Sequence, residues 1–147
     1  MEASIYLSAC AIGISFVSLA WAIHIGRRDR GKLKTSSRLR RFGLGPEDEE
    51  YEEYLEVKAV NCGRRPIILT MLGADFPNGG WIGGHIKDGM LRLAENEAFT
   101  KDIRPGDPDT MPFEGEEVID LWFEDTLGRR YKVKDAKKNL KKLFWKG

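Results

Sequence analysis

The chain has 147 residues, of which 41% are hydrophobic and 32% charged, and a formal net charge of +1. That leaves room for one ordinary globular domain and sets aside a uniformly basic nucleic-acid binder. These averages conceal a steep segregation of apolar, basic and acidic residues along the chain.

Residues 5–25, IYLSACAIGISFVSLAWAIHI, contain no Lys, Arg, Asp or Glu. As a helix they measure about 32 Å at ~1.5 Å per residue, enough to cross a hydrocarbon core. A buried helix of a soluble protein is rarely apolar on every side over such a length. Ala20-Trp21-Ala22 has the small-x-small form of a signal-peptidase site, but a signal peptide carries its positive charge before the apolar stretch, and here the charge follows. The expectation is an uncleaved transmembrane anchor over residues 1–26.

Residues 27–41 carry eight basic side chains against Asp29 alone. Basic residues flanking a span are retained on the cytoplasmic side, which places the N-terminus outside and the rest of the chain in the cytoplasm, at the inner (plasma) membrane. Arg27, Arg28, Arg30, Lys32 and Lys34 are the candidate binders of anionic lipid head groups. Within the span Ser4, Ser8, Ala11, Ser15, Ser18 and Ala22 recur at alternating spacings of four and three, a stripe that lets helix backbones approach. Ser8, Ala11, Ser15, Ser18 and Ala22 are therefore candidate helix-packing residues, for a homo-oligomer or a larger membrane complex. His24 is expected at the interface and not as a ligand. Cys10 lies in the span and Cys62 beyond it, a usage that fits a reducing compartment.

Residues 27–50 read as a linker: Ser36-Ser37 and Gly43-Leu44-Gly45-Pro46 interrupt any helix, and residues 47–53 hold six acids in seven positions. From 51 to 134 the signals are those of about seven short strands. Leu55, Val57 and Ala59 alternate with Glu56 and Lys58. Residues 67–72 form a nearly continuous apolar run after Pro66. Trp81-Ile82 and Ile86 surround Gly83-Gly84, and Leu91 and Leu93 alternate around Arg92. Phe99 and Ile103 flank Lys101, and residues 118–123 pair with Tyr131 and Val133 across a Leu127-Gly128 turn. This spacing points to a mainly β fold, an immunoglobulin-like β-sandwich without its disulfide, with a small barrel as the alternative.

Residues 60–67, VNCGRRPI, followed by apolar alternation and by the 125–131 hairpin DTLGRRY, resemble a pattern in small uncharacterised bacterial proteins with one N-terminal membrane helix. The resemblance implies a single-pass anchor carrying an immunoglobulin-like sandwich, and it carries no catalytic residue. Cys62 stands where that pattern usually has a polar residue.

Residues 135–147 read as a basic amphipathic tail. Ala136, Leu140, Leu143 and Phe144 share one face and Lys137, Lys138, Lys141 and Lys142 occupy the others, so the tail either packs on the sandwich or lies on the inner leaflet. Charge is +7 over 27–41, −6 over 47–53, −7 over 54–128 and +8 over 129–147, an acidic body between basic ends that are expected to face anionic lipid. Chemistry is sparse. His24 and His85 are separated by the linker, Gly79-Gly80-Trp81-Ile82-Gly83-Gly84 lacks the Gly-Lys-Ser/Thr of a phosphate loop, and Asp107 and Asp109 are too few for calcium. No metal, cofactor or nucleic acid is expected. The reading is a non-catalytic binding or scaffolding module, with Trp81 and Trp145 as candidate contacts for a protein partner. The alternatives are an accessory subunit held through the span and an enzyme centred on His85 and Asp88.

Overall fold

The computed structural model describes residues 2–43, 51–107 and 117–145. Among the described residues, helix α1 (Glu2–Arg28) is followed by eight strands, a 3-10 turn (Lys87–Gly89) and one further α-helix. Its segment Tyr6–Arg27 is long and apolar enough to cross a membrane, and none of its most apolar window is buried against the rest of the chain.

The eight strands are β1 (Leu33–Phe42), β2 (Glu52–Asn61), β3 (Ile67–Asp75), β4 (Trp81–His85), β5 (Leu91–Leu93), β6 (Ala98–Ile103), β7 (Asp120–Asp125) and β8 (Arg130–Lys132). They form two antiparallel sheets, one ordered β1-β2-β6 and the other β4-β3-β7-β8 with β5 beside β3. The mainly β expectation holds, and the alternating run at 55–59 is the reason β2 buries one face. Leu55, Val57 and Ala59 are fully buried and join Ile103 from the first sheet to Ile67, Leu69, Leu121 and Phe123 from the second. Phe99 meets Phe123 edge to face across the two layers, ring centroids 6.2 Å apart. Each large apolar side chain buried there contributes about 1.5–3 kcal/mol.

The linker expected over 27–50 is corrected in its first half. β1 occupies Leu33–Phe42 and pairs with β2 along its whole length, from Leu33 opposite Asn61 to Phe42 opposite Glu52. Lys34, Arg38 and Arg40 face solvent, while Thr35, Ser37 and Leu39 turn inward. Two of the inward positions are polar yet satisfied: Thr35 Oγ1 donates to the Lys132 carbonyl at 2.6 Å and Ser37 Oγ to the Lys134 carbonyl at 2.8 Å. Of the acidic run, residues 47–50 lie outside the described residues, and Glu52 and Glu53 belong to β2.

The tail forms helix α2 (Ala136–Phe144), and its apolar face packs on the sandwich: Ala136, Leu140 and Leu143 are buried. Asn139 Nδ2 fastens it by donating to the Ser37 carbonyl (3.2 Å) and hydroxyl (3.0 Å).

The passage from α1 to β1 takes only residues 29–32, and these are fixed to the turn between β2 and β3. The Cys62 N–H donates to the Lys32 carbonyl at 2.7 Å, and Arg64 lies 3.7 Å from Asp29. Gly63 permits this close approach, since a Cβ there would overlap the Arg30 carbonyl and the Lys32 nitrogen. Beneath the joint, fully buried Asn61 donates from Nδ2 to the Arg65 (2.8 Å) and Leu93 (3.0 Å) carbonyls and accepts the Gly63 N–H at 3.0 Å. One end of the domain is thereby defined as the helix-entry end. It holds residues 29–32, the 62–66 and 94–97 turns, and the β7–β8 turn, whose Thr126 N–H donates to the Ile68 carbonyl at 3.0 Å.

Candidate functional site

At the far end α2, β1 and β2 enclose an open groove of about 820 Å³, lined by Leu39, Arg41, Tyr51, Glu53, Lys138, Lys141, Lys142 and Trp145. Strand alternation and the helix repeat bring these residues together: α2 buries Leu140 and Leu143 and so directs Lys138, Lys141 and Lys142 outward along the groove. Arg41 Nε bonds Glu53 Oε1 at 2.9 Å, and its guanidinium lies 4.7 Å from the centre of the Tyr51 ring. None of Lys138, Lys141 and Lys142 has an ion-pair partner among the described residues. Tyr51 and Trp145 make the lining partly aromatic, and Trp145 is half-buried and tilted against Phe144, ring centroids 5.9 Å apart. Such a groove attracts anionic groups and supplies flat apolar surface beside them.

Both basic ends of the chain were expected to face one lipid surface, but each runs the length of the domain: residues 27–41 lead from the joint to Arg41 in the groove, and residues 129–147 lead from the β7–β8 turn to Lys142 in the same groove. From Leu33 at the entry end to Arg41 at the groove, β1 advances about 26 Å at ~3.3 Å per residue. Helix α2 docks beside Ser37 and runs away from the joint, which brings its lysines to the groove end beside Arg41.

A second surface covers the outer face of the larger sheet. Trp122 points away from the core yet is buried, because β3 offers no side chain at Gly73, where a Cβ would overlap its ring. Its Nε1 donates to Asp75 Oδ1 at 2.9 Å. The Arg130 guanidinium lies 3.9 Å from the Trp122 ring centre and 5.3 Å from that of Trp81, held by Glu124 at 3.1 Å and Asp75 at 3.6 Å. Trp81 completes the stack with 56% of its surface exposed. Beside it, the hydrogen bond from Lys132 to Asp120 (2.6 Å), with the Asp120 charge, raises the Lys132 pKa.

The β7–β8 turn is built on a buried carboxylate. Asp125 Oδ1 accepts the N–H groups of Leu127 (2.9 Å) and Arg129 (3.0 Å), and Oδ2 accepts from Arg129 Nε and the Tyr131 hydroxyl, both at 2.9 Å. Burial opposes ionisation of Asp125. The hydrogen bonds from the Arg129 N–H, Tyr131, the Leu127 N–H and the Arg129 side chain outweigh it and hold the pKa below the ordinary carboxylate value. Burial, then the bond to Asp125 and its charge, push the Tyr131 hydroxyl upward.

Of the residues singled out in the sequence, Trp145 lies in the groove and Trp81 on the outer face, so the two do not share a site. Ala11, Ser15, Ser18 and Ala22 lie exposed on α1 with Ser8, and Ser15 Oγ donates within the helix to the Ala11 carbonyl at 2.9 Å. Arg27 and Arg28 belong to the end of α1, Arg30 and Lys32 to the joint, and Lys34 to the start of β1. His85 ends β4 and Asp88 sits in the 3-10 turn Lys87–Gly89, both exposed. Asp109 lies outside the described residues. Among the described residues no group of three or more His, Cys, Asp or Glu is placed to hold a metal ion. Sequence reading missed Asp125 and Arg130 because a turn acid and a strand arginine carry no local signature. The clue to Trp122 was the unbroken apolar run 121–123, which has no outward polar position.

No family model matches the chain, and no curated protein matches it. Among solved structures, the Northeast Structural Genomics Consortium target SoR45 is similar at 12% identity over 72% of this chain and 82% of that one, with a TM-score of 0.31.

Proposed function

We propose that the protein is a single-pass, membrane-anchored, non-catalytic binding module whose β domain takes an acidic segment of a partner protein into the groove beside α2. The observation that carries this reading is the set of three lysines, with Arg41, Tyr51 and Trp145, around one open groove at the end remote from α1. A domain held at a bilayer by its opposite end presents that groove to the aqueous phase. Support for the anchor is the exposure of the whole apolar window of α1, since the core helix of a soluble protein is mostly buried. The basic residues that follow it support an inner-membrane location with the domain in the cytoplasm.

The test is a photocrosslinking amino acid at Trp145 in the full chain, expressed in native membranes. The expected result is a discrete adduct, mapped by mass spectrometry to an acidic stretch of another protein, that falls at least tenfold with K138E/K141E/K142E. An adduct insensitive to charge reversal would contradict it. A second reading, an accessory subunit held through α1, is favoured by the small-residue stripe, which lies exposed on that helix. It predicts instead that S8L/S15L/S18L removes the partner while charge reversal does not.

A further inference from the structure

We infer that the helix-entry end of the β domain is itself a lipid-binding surface: Leu127 enters the interface and Arg64, Arg65 and Arg129 engage anionic head groups, so that the domain sits on the bilayer in one orientation. This rests on the anchoring reading and adds to it a surface formed by turns distant in sequence from the span.

Three observations carry it. First, the joint is short and fastened. Asp29 follows the last apolar residue of the span, Ile25, by four positions, about 6 Å of helix, and the head-group layer is about 5–7 Å deep on each side. Residues 30–32 are then held against the 62–66 turn by the Cys62–Lys32 hydrogen bond and the Gly63 contact, so the domain has no slack with which to leave the surface. Second, the β7–β8 turn lies at this same end, tied to β3 through Thr126 and Ile68, and its tip residue Leu127 is 73% exposed. An apolar tip on a mobile loop could fold away. This one is fixed by the four hydrogen bonds that Asp125 accepts, two of them from the N–H groups of residues 127 and 129 of the turn itself. Third, the charge of the end is complementary to an anionic surface. Arg30, Lys32, Arg64, Arg65 and Arg129 are exposed, against Asp29, Glu95, Glu97 and the buried Asp125, which pairs with Arg129. Asp29 is paired with Arg64, and Glu97 Oε2 accepts the Ala94 N–H at 2.7 Å. An exposed leucine on a rigid turn, at the same end of the domain as these arginines and the entering apolar helix, is the arrangement of an interfacial anchor. The chemistry recognised is the lipid phosphate with the acyl boundary beneath it.

The test uses the full chain with Cys10→Ala and Cys62→Ser, labelled with an environment-sensitive nitrobenzoxadiazole probe at Leu127→Cys or, as the far-end control, at Asn78→Cys. The protein is reconstituted into vesicles of phosphatidylcholine alone or with 30% phosphatidylglycerol. Expected on the anionic vesicles is a blue-shifted probe at 127 that spin-labelled lipid quenches several-fold more than the probe at 78. R64Q/R65Q should reduce that difference at least twofold while the protein still floats with the vesicles. Equal quenching at 127 and 78 in protein that floats would overturn the seating and leave the anchor intact, and equal quenching on neutral and anionic vesicles would overturn the role of the arginines. Protein that does not float would overturn the anchor, and the seating with it.

Discussion

Asp125 shows how one side chain organises a turn. Because hydrogen bonds hold its pKa below the unfolded value of about 3.9, the stability it contributes is present in full above about pH 4 and is lost as the pH falls through the folded pKa. Asn in its place keeps the shape, loses the charge and cannot accept all four bonds. D125N should cost about 2–4 kcal/mol at pH 7, read by urea unfolding of the full chain in detergent micelles, and should flatten the loss of stability as the pH falls below about 4. An unchanged acid limb would remove Asp125 from this role. The burial of Asp125 was not legible in the sequence, because it depends on β7 pairing with β3, and the Tyr131 donor depends on β8 returning beside β7. The turn itself was legible at Leu127-Gly128, where local chemistry decides the conformation.

Elements were readable wherever their hydrophobic period was strong. The alternation at 55–59, the apolar run at 67–72 and the helical repeat of the tail gave β2, β3 and α2 in place. β1 was missed for a physical reason: its inward positions are Thr35 and Ser37, whose hydroxyls replace apolar burial with hydrogen bonds to the Lys132 and Lys134 carbonyls. A period of two written in hydroxyls among arginines looks like a linker until the partner strand is known. The joint is a related case, since Asn61-Cys62-Gly63 announces a turn but not that the turn grips the chain entering from α1. Gly63→Ala should therefore destabilise the domain by about 1–3 kcal/mol in urea unfolding, because the new methyl displaces the backbone of residues 30–32. Wild-type stability in that variant would mean the joint yields freely.

At the scale of the molecule, segregated charge takes on a spatial meaning that was only partly legible along the chain. The near-neutral total divides into a basic entry end, an acidic body and a basic groove at the far end, about 26 Å along β1 from the joint. Sequence alone placed both basic segments toward lipid, because their convergence on one groove far from the joint depends on α2 docking beside Ser37. On the proposed reading the entry end answers to lipid and the far groove to an acidic partner, with α1 holding the first so that the second is presented.

On the proposed reading α1 crosses the bilayer and keeps the β domain on its basic side, and Cys62, exposed on the turn at the joint, reports that topology directly. In the Cys10→Ala background, cells expressing the full chain are treated with a membrane-impermeant maleimide before or after permeabilisation, and membranes are then washed with alkaline carbonate. The expected outcome is that Cys62 is protected in intact cells, labelled once they are opened, and retained in the washed membrane pellet. Labelling of Cys62 in intact cells, or release of the chain by carbonate, would contradict that topology.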